Sequence, residues 1–422
     1  MAAIKALDEI LNKGQFSNEV LNLYADKVEK RDQNFLRQLV YGVVENKIYL
    51  DYILQKSSKN KLEKLDKDIL NIVRIALYEL KFLSTKKYAV INEAVNNAKK
   101  IKFSAKGFVN GVLRNIDRNM DELSEIKGKD NDKKLSIQYS CDLSIIKYLK
   151  QYYENYEEIV KSFNTVPSFN IRVNTFLTDK EQLINRLEKK EYIVEKSDVS
   201  KDCLIIKNPI NMTEIEEFKE GLFTIQDQSS ILVSEILNPK ENSSVLDLCA
   251  APGSKSTHLL QIMNNNGKVV ANDIAKDKLD KIKDNFERLQ LSNFELTNYD
   301  AQKTIKQFID KFDYVLVDAP CSGLGVIKRK PEIKLNKSID DIMSLNRIQN
   351  EIIEQSYKYL KVGGRLVYST CTLGRKENID IVNDFISRHN DVKIEKINDK
   401  EYLEILPDKN NDGFFICSMQ KQ

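Results

Sequence analysis

The chain has 422 residues, 31% of them charged, yet 66 Lys+Arg against 63 Asp+Glu leave a net charge of only +3. At roughly 150 residues per domain, this length predicts about three domains with sizeable cores. No stretch approaches the ~20 apolar residues of a membrane span, and Lys5, Asp8 and Glu9 interrupt any N-terminal leader, which excludes spanning and secreted classes and predicts a cytoplasmic protein. The six cysteines (Cys141, Cys203, Cys249, Cys321, Cys371, Cys417) contain no C-x-x-C pair, so free thiols in a reducing compartment and no metal are expected.

Taken in chain order, residues 1–125 read as helix after helix: AAIKALDEILNK, NFLRQLVYGVVENKIYLDYILQ, KDILNIVRIALYELKFL, AVINEAVNNAKKI and KGFVNGVLRNI each repeat apolar residues at three- and four-residue spacing. Residues 1–120 carry 22 Lys+Arg against 14 Asp+Glu, and the rest 44 against 49, so the positive excess sits in this region. Within 81–118 the count is 9 against 2, the signature of a surface that faces phosphates. The polar stretch 121–136 reads as a linker. Residues 140–238 mix helix and strand: YLKQYYENYEEIVKSF and KEQLINRLEKK as helices, FNIRVNTF, CLIIKN and LFTIQD as strands, a small α+β module.

From 239 to 422 strands and helices alternate regularly. The strands SSVLDL, KVVANDI, FELTNY, YVLVDAP and RLVYST are separated by helical segments, which predicts a parallel, doubly wound, Rossmann-like α/β sheet, with VKIEKI and GFFICSMQ as edge strands. The whole is therefore a multidomain chain: an all-α bundle, an α+β module and an α/β domain.

The run VLDLCAAPGSKST (245–257) is a strand entering a glycine-containing loop that opens a helix, the local architecture of a nucleotide-like cofactor site. It lacks G-x-G-x-x-G, and Ser254 separates Gly253 from Lys255, so neither a dinucleotide nor a P-loop reading holds. Acidic residues end successive strands at Asp247, Asp273, Asp300 and Asp318, and Asp273, at the second strand tip, suits ribose hydroxyls. A ribose with an amino-acid tail and no pyrophosphate describes S-adenosyl-L-methionine. Cys321 in DAPCSG and Cys371 in STCTLG both follow strand ends. In a sheet ordered 3-2-1-4-5 these two strands are neighbours, roughly 4.8 Å apart, so both thiols reach one substrate and suggest covalent chemistry on a ring carbon. His258 and His389 lie in helical surroundings and read as core or helix-surface residues.

The runs VLDLCAAPGSKST, NDI, NYDA, VLVDAPCSGLGVIKRKPEIK and YSTCTLGRKEN resemble, in order and spacing, the motifs of RNA cytosine-5 methyltransferases of the Nop2/Sun class. Upstream, IRVNT and FTIQDQSS resemble the small module that precedes that catalytic domain, and residues 1–120 resemble a NusB-type RNA-binding domain, so nearly the whole chain resembles the bacterial Sun/RsmB family. The resemblance implies methylation of a 16S ribosomal RNA cytosine, with Cys371 as nucleophile, Cys321 assisting elimination and Asp318 contacting the base. It also implies a cofactor site of Cys249, Ala250, Ala251, Pro252, Gly253, Ser254, Lys255, Asp273, Asp300 and Asp318. Lys255 reads either as a group that favours the Cys371 thiolate or as a loop-packing lysine. Lys328, Arg329 and Lys330 are expected to hold RNA phosphates, and the chain is expected to act as a monomer. Two positions depart from the family pattern: Ser254 where a Gly is usual, and Leu335 where an aromatic often stands. The same chemistry on transfer RNA or 23S RNA, and a noncatalytic RNA-binding assembly factor, are the alternatives.

Overall fold

The computed structural model describes all 422 residues, which fall into two units, Met1–Thr165 with Ile327–Ile339, and Val166–Val326 with Asp340–Gln422. The first is helical: α1 (Ala2–Lys13), α2 (Ser17–Ala25), α3 (Gln33–Glu45), α4 (Lys47–Ser57), α5 (Lys67–Phe82), α6 (Lys87–Ile101), α7 (Lys106–Ser124), α8 (Asn131–Gln138), α9 (Leu143–Tyr152) and α10 (Tyr156–Ser162). Asp66 starts α5 by accepting from the Asp68 and Ile69 N–H groups, satisfying donors that a helix start leaves unpaired. That helix buries Ile69, Ile72, Val73, Ala76 and Leu77 in one core with Leu7 and Ile10 of α1, Val40 and Val43 of α3, Ile53 of α4, Ala94 of α6 and Leu113 of α7. The expected single helix across residues 34–55 breaks at Asn46, where φ is −109° and ψ is 14°. The structure adds α2, and the expected linker 121–136 contains the start of α8, with Asp130 accepting from Lys133 N–H at 3.1 Å.

The segment Ile327–Ile339 belongs to this helical unit. Buried Glu332 accepts from Ser17 N at 3.1 Å and Ser17 Oγ at 2.6 Å. Buried Lys334 donates to Tyr139 O and Asn164 Oδ1, both at 2.8 Å, and burial lowers its pKa to about 8. Lys328, Arg329 and Lys330 lie in this segment, with Lys330 Nζ 5.2 Å above the Phe16 ring.

The second unit begins with a small module: β1 (Phe169–Val173), α11 (Lys180–Glu188), β2 (Val194–Lys196), β3 (Cys203–Ile206), α12 (Glu216–Lys219) and β4 (Phe223–Ile225), an antiparallel sheet ordered β2-β3-β1-β4. After α13 (Gln228–Leu237) come β5 (Ser244–Asp247), α14 (Ser254–Ile262), β6 (Lys268–Asn272), α15 (Leu279–Arg288), β7 (Phe294–Thr297) and β8 (Phe312–Asp318). Beyond α16 (Ile333–Asn336), in the segment just described, the unit resumes with α17 (Ile339–Tyr359), β9 (Leu360–Thr370), α18 (Ile379–Arg388), β10 (Val392–Glu395), β11 (Leu403–Ile405) and β12 (Phe414–Lys421).

The large sheet runs β10-β12-β9-β8-β5-β6-β7, with β11 paired to β12. Its parallel part has the 3-2-1-4-5 order, which puts β8 beside β9. Alternate residues face opposite layers: Leu246, Val270, Val315 and Val317 join one core, and Val245, Val269, Ala271 and Leu316 the other. GFFICSMQ is not an edge strand. It forms β12, antiparallel between β9 and β10, and its residues Phe414 to Met419 are buried on both faces, as an inner strand requires. No helix is long and apolar enough to cross a membrane.

Candidate active site

The parallel register aligns Asp318 of β8 with Ser369 of β9. Cys321 follows three residues after the first and Cys371 two residues after the second, and the two Sγ atoms end 3.3 Å apart, both half-buried. What holds the two loops together is Glu377. This buried carboxylate accepts from Ser322 N at 2.8 Å, from Ser322 Oγ, from Gln349 Nε2 at 3.0 Å and from Thr372 Oγ1 at 3.5 Å. Ser322 follows one thiol and Thr372 the other, and their hydroxyls lie 2.6 Å apart. Glu377 stands in the GRKEN run, where nothing in the sequence marks its role; its donors come from Ser322, Gln349 and Thr372, in three separate segments.

Charge beside the thiols comes from an ion pair. Asp318 accepts from Lys255 Nζ at 2.6 Å through one carboxylate oxygen and from Ser369 Oγ at 2.9 Å through the other. Burial works against the Lys255 ammonium, but the charge and hydrogen bond of Asp318, with the negative charges of Cys371 and Asp247, raise its pKa, so it stays protonated. The Cys321 thiol is pushed well above its ordinary range, first by its hydrogen bond to Cys371 and then by burial. The Lys255 ammonium and the negative charge of Cys371 attract one another, which adds to the rise in the Lys255 pKa. Cys249 is held well above the ordinary thiol range by burial and by Asp247, Asp273 and Asp318, which leaves it a loop residue and no nucleophile.

The cofactor loop runs from β5 into α14. Gly253 has φ +97°, and a Cβ there would lie 3.1 Å from Ile282, so only glycine suits the position. Ser254, the departure from the family pattern, is the first residue of α14, where a side chain fits. Ala250 N donates to Asn272 O at 2.8 Å, and Pro252 O accepts from Asn285 Nδ2 at 2.9 Å. Asp273 receives the Ala251 and Ala275 N–H groups, each at 2.9 Å, so it shapes the loop as well as standing at the β6 tip. Asp300, beyond β7, has local partners, Gln302 N at 3.1 Å and Lys303 Nζ at 3.3 Å, and the backbone bond foremost lowers its pKa.

Asp247, one of the acidic strand ends, lies outside the expected cofactor set. It is buried; Oδ2 accepts from Ser256 Oγ at 2.6 Å, and Oδ1 has no partner. Burial raises its pKa to about 7, with Ser256 opposing and Asp318 adding to the rise. A buried carboxylate oxygen without a donor at the end of the first parallel strand fits the ammonium of a ligand with an amino-acid tail.

The small module reaches this loop through Arg172, which is fully buried. Its guanidinium donates to Gln226 Oε1 at 2.5 Å, to Thr257 Oγ1 at 3.0 Å and to the Ser254 carbonyl. The IRVNT run thus carries a side chain that fastens the start of α14, a contact across 82 residues that spacing alone does not reveal. His258, in the same helix, is a core residue bonded to Asp202 at 3.2 Å, its pKa lowered to about 4 chiefly by burial.

Family models match at residues 1–118 (NusB family), 145–213 (the ferredoxin-like domain of RsmF/B-like methyltransferases) and 234–420 (16S rRNA methyltransferase RsmB/F). A probable ribosomal RNA small subunit methyltransferase B of Bacillus subtilis (strain 168) is 37% identical, the match covering 100% of this chain and 98% of the relative. Among solved structures, PH0851 matches at 26% identity with a TM-score of 0.82, covering 100% of this chain and 98% of the other. NSun6 from Pyrococcus horikoshii, solved with the ligand SFG, matches at 25% identity and TM-score 0.59, covering 66% of this chain and 97% of the other. A NusB-like helical region, a ferredoxin-like module and a methyltransferase sheet in one chain, with full-length identity to a curated relative, mean that the chain belongs to the Sun/RsmB methyltransferase family.

Proposed function

We propose that this chain transfers a methyl group from S-adenosyl-L-methionine to carbon-5 of a cytosine in 16S ribosomal RNA, through a transient bond between Cys371 and carbon-6 of the base. The observation that carries this reading is the thiol pair 3.3 Å apart beside the Lys255–Asp318 ion pair. When bound, the cofactor supplies an electrophilic methyl group on a sulfonium. Asp247 and Asp273 are the groups that would hold its ammonium and ribose, along the loop from Cys249 to Lys255.

Carbon-5 of cytosine is a poor nucleophile, which is why a thiolate is needed. As the Cys371 sulfur bonds to carbon-6, the carbon-5/carbon-6 double-bond electrons become available at carbon-5, which then accepts the methyl group. Asp318 accepts a hydrogen bond from the cytosine amino group and holds the base, and the Lys255 ammonium paired with it offsets the negative charge that builds on the ring as sulfur adds. Once Cys371 is bonded to carbon, Cys321 loses the acceptor that held its thiol up; its proton passes to solvent, and the thiolate so formed takes the carbon-5 proton. Departure of that proton restores the double bond and returns the carbon–sulfur electrons to Cys371. A stacked base hides carbon-6 from a half-buried thiol, so the target is a flipped or unpaired cytosine. Lys328, Arg329 and Lys330 are assigned to phosphate contacts.

The test is incubation of the purified chain with methyl-labelled S-adenosyl-L-methionine and, separately, 16S, 23S and transfer RNA, followed by digestion and mapping. Label in 5-methylcytosine at one 16S position is expected. Label in another nucleoside, or only in the other RNAs, refutes the assignment.

A further inference from the structure

We propose that Cys321 and Cys371 form a redox switch: a hydroperoxide closes the two thiols into a disulfide that removes the nucleophile, and a dithiol reductant opens it again. This rests on the reading of Cys371 as nucleophile and adds regulation of that same site.

The Sγ atoms stand 3.3 Å apart, and a disulfide is ~2.05 Å long, so bonding asks them to approach by ~1.3 Å. Both loops are tied before and after the thiols. Ala319 N donates to Ser369 O at 2.9 Å on the strand side, and Gly325 N donates to Cys371 O at 3.1 Å beyond. Between these bonds Leu324 N donates to Thr372 Oγ1 at 3.2 Å, and Ser322 Oγ lies 2.6 Å from the same hydroxyl. Because β8 and β9 are neighbouring parallel strands, spaced ~4.8 Å, loops tied in this way stay within the ~4.4–6.8 Å between Cα atoms that disulfides take. Rotation of the two side chains closes the remaining gap without a shift of either loop.

The other cysteines make a contrast. Burial pushes the thiols of Cys141, Cys203 and Cys417 up to about 12 and holds that of Cys249 well above its ordinary range, so they offer peroxide little thiolate. Cys371 is half-buried and stands near the Lys255 ammonium. Its sulfur attacks one peroxide oxygen, the O–O bond breaks and hydroxide leaves, giving a sulfenic acid. The Cys321 sulfur then attacks the oxidised sulfur, the S–O bond breaks, and the hydroxyl departs as water with the Cys321 proton. In sum the two thiols give up two electrons and two protons, and hydrogen peroxide is reduced to two waters. A sulfenic acid left alone goes on to sulfinic acid, which thiol reductants do not reverse, whereas a second thiol 3.3 Å away intercepts it. A reducing thiol pool keeps the pair open until peroxide is present.

The experiment uses the full-length chain, reduced with dithiothreitol, freed of it and exposed to hydrogen peroxide without RNA or S-adenosyl-L-methionine. Titration of the denatured chain should find the six thiols reduced by two, and digestion should return a peptide joining Cys321 to Cys371, two hydrogens lighter than its reduced parts. In the folded, oxidised chain Cys371 should resist iodoacetamide, and methyl transfer should be lost in proportion to the crosslinked fraction. Dithiothreitol should restore both. Calorimetric affinity for S-adenosyl-L-methionine should stay at the value of the reduced chain, because the bond leaves Asp247 and Asp273 unaltered. In Cys321→Ala, peroxide should carry Cys371 on to sulfinic acid that dithiothreitol does not recover. Six thiols remaining, wild-type Cys371 sulfinic acid as abundant as in the variant, or a crosslinked chain that still transfers methyl groups overturns the proposal. If the reduced wild-type chain methylates no RNA, the assigned function fails, and the thiol count, the crosslink and the alkylation of Cys371 still decide the switch.

Discussion

Cofactor binding should release a proton, and Asp247 should be its source. Because burial raises the pKa of this carboxyl to about 7, the protonated form dominates below that value, and a bound ammonium beside the unpartnered Oδ1 demands the carboxylate. The sign is therefore fixed: affinity falls as pH drops through 7. With one proton and a pKa near 7, about nine-tenths of the sites are protonated at pH 6 and about half at pH 7, so the dissociation constant should be about fivefold weaker at pH 6 than at pH 7. The α-amino group of the cofactor, with an ordinary pKa of ~7.7–8.0, stays charged over this range and adds little. Calorimetric titration of the full-length chain with S-adenosyl-L-methionine, in two buffers of different ionisation enthalpy, should return about 0.9 protons released at pH 6 and about 0.5 at pH 7. In Asp247→Asn the release should vanish, and loss of a charge-assisted hydrogen bond worth ~1.5–3 kcal/mol should weaken binding at pH 7 by tenfold or more. Proton release near zero at pH 6, with a pH-independent dissociation constant, would refute the role of Asp247.

Two further substitutions test how the loops are held. Arg172→Met removes three hydrogen bonds and strands the buried Gln226 acceptor, a loss of ~2–5 kcal/mol; thermal unfolding should begin several degrees lower and cofactor affinity should drop, while unchanged values of both would show the guanidinium to be dispensable. Glu377→Gln keeps the size but breaks the pattern of four donors, and a displacement of one thiol by about 1 Å can cost ~10²-fold in rate. Steady-state assays should find kcat reduced by about that factor with KM for RNA near the wild-type value, and wild-type kcat would show that the loops hold their positions without it.

Much of this site is legible in the sequence because parallel strands impose it. Alternating strands and helices predict the 3-2-1-4-5 order, and with β8 beside β9 the offsets of Cys321 and Cys371 from aligned Asp318 and Ser369 bring the thiols together. Contacts between distant segments are not legible in this way. Arg172 stands 82 residues before Ser254, and nothing in IRVNT tells its side chain to enter the second sheet's first loop. Asp247 reads as one acidic strand end among four, and only its burial and its empty oxygen single it out. Composition also misleads at two places. Residues 121–136 are too polar to suggest a helix, yet an Asp cap and buried Leu135 suffice for α8, and β12 shows the continuous burial of an inner strand at a chain end where an edge strand was expected.

The central claim is that the two thiols divide the reaction, and trapping of a protein–RNA adduct tests it most directly. Cys321→Ala, incubated with substrate RNA and S-adenosyl-L-methionine, should add to carbon-6, accept the methyl group at carbon-5 and then stall, giving a species that survives denaturing electrophoresis. Cys371→Ser should give neither adduct nor methylation, because a hydroxyl ionises far less readily than a thiol at neutral pH, and the double variant should match it. Adduct in the Cys371 variant alone would reverse the two roles, and normal turnover by both single variants would contradict the covalent mechanism.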